Sequence, residues 1–387
     1  MFLSCHDDRR LYRIVTCVLV AVMGMIAART AAAQTVRLEA DASVFMSDNP
    51  FLIPGENKLT GAAEFVVRPE VVWPLGPSTT LNANGAIGYR QYHRRYGNFL
   101  TGRMNASLHH RRNEYLSVDG SVSYARELPP DALTDSIDAA IDSLSIRESY
   151  TARGSLTWNP NARLSVVGEA GWQKTRYPRS TLLATTNIRD VAVEVSKRVS
   201  PLMTVGVRGD LTESDSAFGA DTSTRTLRLT AARRLAAAWR ANIEAGLEWA
   251  RPNRGPGQAR GVGAQFSGSA RLCYEPPHTV ACISATIRSE ATGLGELGRE
   301  KTFDLTVTRR LSEHGTLTAS AEYRSARFTL LDARSDVLRC STAYDHRLSN
   351  RFSVGGRVDY LRRTRPTGER IDATIFWIGV TFRGLGE

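Results

Sequence analysis

Serine, histidine and aspartate are the residues in this 387-residue chain whose types and spacing could do covalent chemistry, and they come closest together around Asn113. Ser107, His109, Ser117 and Asp119 flank that turn at two-residue steps, so in a hairpin all four share one face and imitate a nucleophile, a base and an orienting acid. Serine or charged residues occupy every row of that face, so the grouping is expected from composition alone, and no enzyme is expected. The chain has no Gly-x-Ser-x-Gly turn, no phosphate loop and no His-Glu-x-x-His pair. His93, His278, His314 and His346 are scattered through loops and strand ends, which leaves neither a metal nor a cofactor to expect. Cys273 and Cys282 flank Pro276-Pro277-His278 and oppose each other across a hairpin, a pairing suited to an oxidising compartment. Cys340 falls with Leu338, Thr342 and Tyr344 on an apolar face and reads as a small filler.

The segment before residue 34 reads as a secretory signal. Arg9, Arg10 and Arg13 precede an apolar run over residues 14–28, and Ala31-Ala32-Ala33 offers a small-residue cleavage site. The organisation expected is a signal peptide over 1–33 and one domain over 34–387. Removing the signal leaves 46 basic against 37 acidic side chains, a net charge of +9, and only Cys273, Cys282 and Cys340. No basic run with interleaved aromatics appears, so nucleic acid is not an expected partner. Anionic lipid headgroups or acidic carbohydrate suit the charge better.

The elements that position these residues are strands. The chain is 42% hydrophobic and 23% charged, and beyond residue 30 no stretch approaches the roughly 20 apolar residues of a spanning helix. Turn signals such as Asn159-Pro160-Asn161, Ser200-Pro201 and Ser349-Asn350 recur about every 36 to 48 residues. Each is flanked by two alternating segments. From Trp239 the apolar set is Trp239, Ala241, Ile243, Ala245, Leu247 and Trp249, with Arg240, Asn242, Glu244, Gly246 and Glu248 between them. That is a period of two, which a helix cannot carry. About eighteen strands follow, or sixteen if one hairpin is misdrawn, with eight short turns alternating with nine longer loops. Fourteen of fifteen prolines fall in the predicted turns or loops, Pro69 being the exception.

Chemistry separates a soluble sandwich from a membrane barrel. The apolar face mixes Gly, Ala, Leu and Val and ends in aromatics, as in Tyr150, Ala152, Gly154, Leu156 and Trp158. The other face carries too much charge for a protein core, so it faces water. An open edge cannot exist in hydrocarbon, so the sheet closes. The expected fold is all-β: a closed antiparallel transmembrane barrel in the outer membrane of a Gram-negative bacterium, with short periplasmic turns and longer extracellular loops. Gly379 and Phe382 in the last strand form part of the aromatic signal that outer-membrane insertion machinery reads, with residues 383–387 beyond it.

The same register sets the pore-lining candidates: Arg68, Arg90, Arg103, Arg153, Arg208, Arg228, Arg240, Arg271, Arg288, Arg324 and Arg357, with Glu64, Glu169, Glu194, Glu244 and Glu322. They imply a hydrophilic, arginine-leaning lumen stiffened by cross-strand ion pairs. The loop over 127–146 stands apart: Leu133, Ile137, Ile141 and Leu144 recur at helical spacing after Pro129-Pro130, among Asp131, Asp135, Asp138 and Asp142. It reads either as a short acidic helix narrowing the pore or as a surface cap.

The opening strand and its exit, Ala42-Ser43-Val44-Phe45-Met46-Ser47-Asp48-Asn49-Pro50-Phe51, followed by residues 59–73 and Tyr89-Arg90-Gln91-Tyr92, resemble the β-barrel porin 2 group. That resemblance implies an outer-membrane barrel linked to exopolysaccharide export; whether a periplasmic export partner docks on the short turns is left open by the sequence. Export of a carbohydrate polymer is therefore the leading expectation. The alternatives are a diffusion porin for small polar solutes or oligosaccharides, and a structural or lipid-modifying barrel with a closed lumen. Tyr92 and Trp377 are the inward aromatics the register provides for a polymer track.

Overall fold

The computed structural model describes residues 35–384 apart from 134, 135, 137, 143, 179, 218–220, 254–262, 295, 296, 329–332 and 366, so the signal-peptide segment lies outside the described residues. Eighteen strands are described: β1 (Thr35–Ser47), β2 (Thr60–Gly76), β3 (Thr79–Tyr92), β4 (Asn98–Arg111), β5 (Leu116–Glu127), β6 (Arg147–Asn161), β7 (Leu164–Arg176), β8 (Thr186–Ser200) and β9 (Met203–Ser216). They continue as β10 (Asp221–Ala236), β11 (Trp239–Asn253), β12 (Gln265–Tyr274), β13 (Thr279–Ala291), β14 (Leu297–Arg310), β15 (Gly315–Phe328), β16 (Ala333–Arg347), β17 (Phe352–Thr364) and β18 (Arg370–Arg383). Each pairs antiparallel with its sequence neighbours, and β1 pairs with β18 from Glu39↔Arg383 to Ser47↔Ile375, which closes the ring.

Period-two alternation builds this wall. Leu227, Leu229, Ile243, Leu247, Val193 and Val207 face outward and are all strongly exposed, a condition that water would not tolerate over a continuous surface. Aromatics bound the belt at both rims. Trp73, Trp158, Trp239 and Phe352 lie toward the short turns, and Tyr89, Trp172 and Trp249 lie toward the loops. A strand of about 14 residues at about 3.4 Å per residue, tilted about 45°, rises roughly 33 Å, enough to cross an apolar band of about 25 Å. The chain is a transmembrane β-barrel of the outer-membrane type, with its turns on the periplasmic side.

Several strands run past the ends the sequence suggests, three of them through a proline. Pro74, Pro160 and Pro252 lie in the last residues of β2, β6 and β11, because the ladder continues past the turn signal. Pro69 lies inside β2 as drawn. It pairs with Leu38 on the β1 side, while the ladder to β3 lapses between Val67↔Ile87 and Glu70↔Asn84 and resumes in unchanged register. The missing N–H accounts for the lapse.

The single apolar core described lies inside the extracellular mouth. Phe51, Leu52, Leu128, Leu133, Phe328 and Val337 are almost fully buried there, against the loop ends of β15 to β18 and β1 to β3. Two loops supply it, residues 48–59 and 128–146. In the first, the Asn49 side chain accepts a hydrogen bond from the Ile53 N–H and donates one to the Ile53 carbonyl, both 2.8 Å. That turn holds Leu52 at φ +51°, a left-handed conformation supported by the burial of its side chain. Asp48 accepts the Thr374 N–H at 2.9 Å, fixing the loop to β18.

Arginine in place of Leu229, midway along β10 on the lipid face, is expected to cost about 2–4 kcal/mol of barrel stability in vesicles. Ser121→Arg, on the water side of β5, is expected to change it by less than about 1 kcal/mol. Urea midpoints of the two variants in one lipid check the assignment of faces.

Candidate functional site

Two inner surfaces share the barrel. One is wet: a cavity of about 730 Å³ runs along β4 to β13, lined by Ser107, Asp119, Ser121, Arg153, Glu169, Arg208, Asp210, Thr224, Arg228 and Arg288, among others. The other is the apolar mouth packing described above. Of the predicted pore-lining residues, Arg153, Glu169, Arg208, Arg228 and Arg288 reach the cavity.

Most of the lumenal arginines are neutralised. Arg208 contacts Glu169, Glu194 at 3.7 Å and Asp210 at 2.8 Å, and Arg228 bridges Asp210 at 3.6 Å and Glu244 at 3.5 Å. Arg68 pairs with Glu39 and Asp41, Arg103 with Glu127, Arg240 with Glu275 and Arg288 with Glu290. Glu322 lies between Asp304 and Arg339 in the ladder. Arg153 and Arg271 have no ion-pair partner among the described residues, and Arg153 stands exposed in the cavity.

Four predicted lining residues serve the mouth or the wall instead. Arg90 is 5% exposed, holds Glu64 at 3.0 Å and Asp131 at 3.2 Å, and lies 5.4 Å over the Phe45 ring and 5.5 Å from that of Trp377. Arg324 contacts the nearly inaccessible Glu300 at 2.8 Å. Arg357 stacks on Trp377 at 4.5 Å while pairing with Asp359 at 2.9 Å. At Arg90 the covering group is Asp131 from a loop, and strand register does not reveal a loop that folds inward.

The segment after β5 forms two short turns of helix, α1 (Pro129–Ala132) and α2 (Asp138–Ile141), where the sequence suggests one helix. Its carboxylates anchor it. Besides Asp131 on Arg90, Asp138 accepts hydrogen bonds from the Tyr177 hydroxyl at 2.5 Å and the Gly293 N–H at 2.9 Å, and Asp142 accepts one from Ser180 at 2.6 Å. The Ile141 carbonyl accepts from Arg363 at 3.1 Å. Asp135 lies outside the described residues. The segment thus ties β3, β17 and two other extracellular loops together across the mouth. Nothing in the sequence signals Tyr177 or Gly293 as partners, whereas Phe51-Leu52-Ile53 in a nominally solvated loop is a legible sign of burial.

Asp138 is fully enclosed, and burial pushes its carboxyl up to about 6, against the Tyr177 hydroxyl and the Gly293 N–H, with Glu290 adding to the rise and Arg147 opposing it. Burial and the adjacent Asp138 raise the Tyr177 phenol well above its ordinary value.

Around Asn113, His109 Nδ1 meets Asp119 Oδ1 at 2.5 Å, both exposed; among the described residues no serine hydroxyl bonds either ring nitrogen. At the periplasmic rim Cys273 and Cys282 are joined as a disulfide across the β12–β13 ladder. Cys340 is unpaired and faces outward beside Leu338 and Tyr344.

No family model matches the chain, and no curated protein matches it, so neither comparison supports the porin 2 resemblance. Solved structures similar to it include Pseudomonas aeruginosa OccK2 (OpdF), at 10% identity and TM-score 0.48 over 91% of this chain and 98% of that one. Pseudomonas aeruginosa OpdQ matches at 11% and 0.47 over 91% and 98%. A BenF-like porin from Pseudomonas fluorescens Pf-5 matches at 11% and 0.47 over 92% and 99%. Likeness of this depth assigns no substrate.

The raised Asp138 carboxyl makes the neutral acid the better-accommodated form. Attachment of residues 128–146 is therefore expected to be firmest below the ordinary carboxylate range and to weaken as pH rises through about 6. Hydrogen exchange of this segment between pH 4 and 8 measures it, and Asp138→Asn is expected to flatten the profile.

Proposed function

We propose that this barrel is a passive outer-membrane channel for small polar, polyhydroxylated solutes, and not a conduit for a polymer. The observation that carries this reading is the fate of the inward aromatics. Tyr92 is 5% exposed and packs against Phe51, Tyr96 and Phe99, and Trp377 is covered by Phe45 and two arginines. They pack against loop and strand residues, so among the described residues these two leave no aromatic track along the lumen for sugar rings to stack on. The water-filled space, about 730 Å³, suits a solute of drug-like or oligosaccharide size.

Its lining favours polar solutes without binding them tightly. Hydroxyls of Ser107, Ser121, Ser155, Thr212, Thr224 and Thr226 alternate with ion pairs, and the unpaired Arg153 has the unpaired Asp190 across Gly171 from it, so neither sign of charge dominates the exposed lining. The segment 128–146 narrows the entrance on this reading, through its bulk and not through free acidic charge. No catalytic step is part of the reading.

Liposomes containing the barrel are expected to swell in neutral sugars, at rates falling steeply from mono- to tetrasaccharides. Swelling independent of size, or none, would overturn the proposal. Deleting residues 131–143 is expected to raise single-channel conductance at least twofold, an unchanged value removing the narrowing role. Arg153→Glu is expected to shift the reversal potential in a salt gradient toward cations. Surface polysaccharide of the host is expected to be unaffected by loss of the gene.

A further inference from the structure

We propose that the outer wall of β8 to β11, at the level of the extracellular rim, binds the phosphorylated headgroup of an outer-leaflet glycolipid. The wall here reads in rows. Val195, Val207, Leu229 and Ala245 share one level, then Val193, Gly209, Leu227 and Leu247. The next level up is Val191, Leu211, Arg225 and Trp249, and the one above is Arg189, Glu213, Ser223 and Arg251. Lys174 stands beside them on β7, two residues beyond the Trp172↔Arg189 pair. Charge thus begins one register step above continuous hydrocarbon-facing side chains, which is headgroup depth.

The bases outnumber the acids and none is paired. Arg189, Arg225, Arg251 and Lys174 share these outward levels with Glu213, Asp215 and Asp221, and none of the seven has an ion-pair partner among the described residues. The same rim elsewhere is built differently. Arg126 is held by Glu148 at 2.9 Å, Arg334 by Asp336 at 2.9 Å and Arg362 by Asp372 at 2.7 Å.

A hollow of about 420 Å³ lies on this wall between Arg225 and Arg251, with Trp249, Leu227 and Ser223 among its lining. Two guanidinium forks suit a phosphate, which each can hold bidentately, and the indole suits the ester and sugar level of an amphiphile. Acyl chains would then lie along Leu227, Leu247 and Phe266, which are 46–56% exposed. A soluble anion would leave those side chains unused, and for that reason the occupant is a lipid.

The test uses the folded mature barrel in detergent, with bound lipid counted by native mass spectrometry. The probes are bis-phosphorylated lipid A, the same lipid with both phosphates removed, and inorganic phosphate as competitor. The wild-type protein is expected to bind the phosphorylated lipid at least tenfold more tightly than the dephosphorylated one, with inorganic phosphate at equal concentration not displacing it. Arg225→Gln/Arg251→Gln is expected to lose at least tenfold, while Arg334→Gln/Arg362→Gln on the compensated rim binds as wild type. Equal binding of the two lipids, equal loss in both double variants, or displacement by inorganic phosphate would each overturn the proposal. Should Arg225→Gln/Arg251→Gln fail to fold, judged by heat-modifiable gel mobility, Arg189→Gln replaces it, with a loss of about threefold expected and no loss contradicting the site.

Discussion

Hydrocarbon offers a peptide N–H or C=O no partner, and the rest of this structure follows from that constraint. Eighteen consecutive hairpin strands leave two free edges, and the pairing of β1 with β18 removes both. Closure forces each strand to present one face to lipid and one to water, which turns a modest alternation in sequence into an apolar belt and a charged lumen. The aromatic rims, the ion-paired interior and the inward loops are all consequences of the ring that this pairing completes.

A ring this wide cannot be filled by its own wall. Its interior therefore holds two different environments. Along β4 to β13 it holds water, and cross-strand ion pairs stiffen the wall at little net gain in stability. Under the β15 to β3 arc, the loops over 48–59 and 128–146 bring in what the strands lack, a packed apolar core. Burying Phe51, Leu52, Leu128 and Leu133 is worth about 1.5–3 kcal/mol each before the loss of loop entropy. Arg90 makes this junction: its guanidinium satisfies Glu64 and Asp131 while its faces lie near Phe45 and Trp377.

The wall was legible in the sequence because one rule governs it locally. Trp239 to Trp249 alternates strictly, and the structure puts its apolar set outside and Arg240, Glu244 and Glu248 inside. Strand ends were less legible: a proline signals a turn wherever the chain has one, yet Pro74, Pro160 and Pro252 sit where pairing persists for one or two more residues. The interior arrangement was not legible at all from period. Whether Arg90 lines a pore or lies buried depends on residues 51 and 131, brought over it by two loops. Asp138 finds Tyr177 and Gly293 through tertiary closure that no local pattern records. Inward side chains divide between two surroundings: Arg153 and Arg208 line the cavity, while Arg90, Glu64 and Arg324 lie among protein atoms.

The contacts that hold the two mouth loops reach far along the chain: Asp138 to Gly293 spans 155 residues, Arg363 to Ile141 spans 222, and Thr374 to Asp48 spans 326. The first needs the loop between β13 and β14 in place, and the last two require β17 and β18 themselves. Those two contacts of the entrance therefore cannot precede the placement of the last two strands. A partly assembled barrel has open edges and loose loops together, so the seating of residues 48–59 and 128–146 records that the ring is complete.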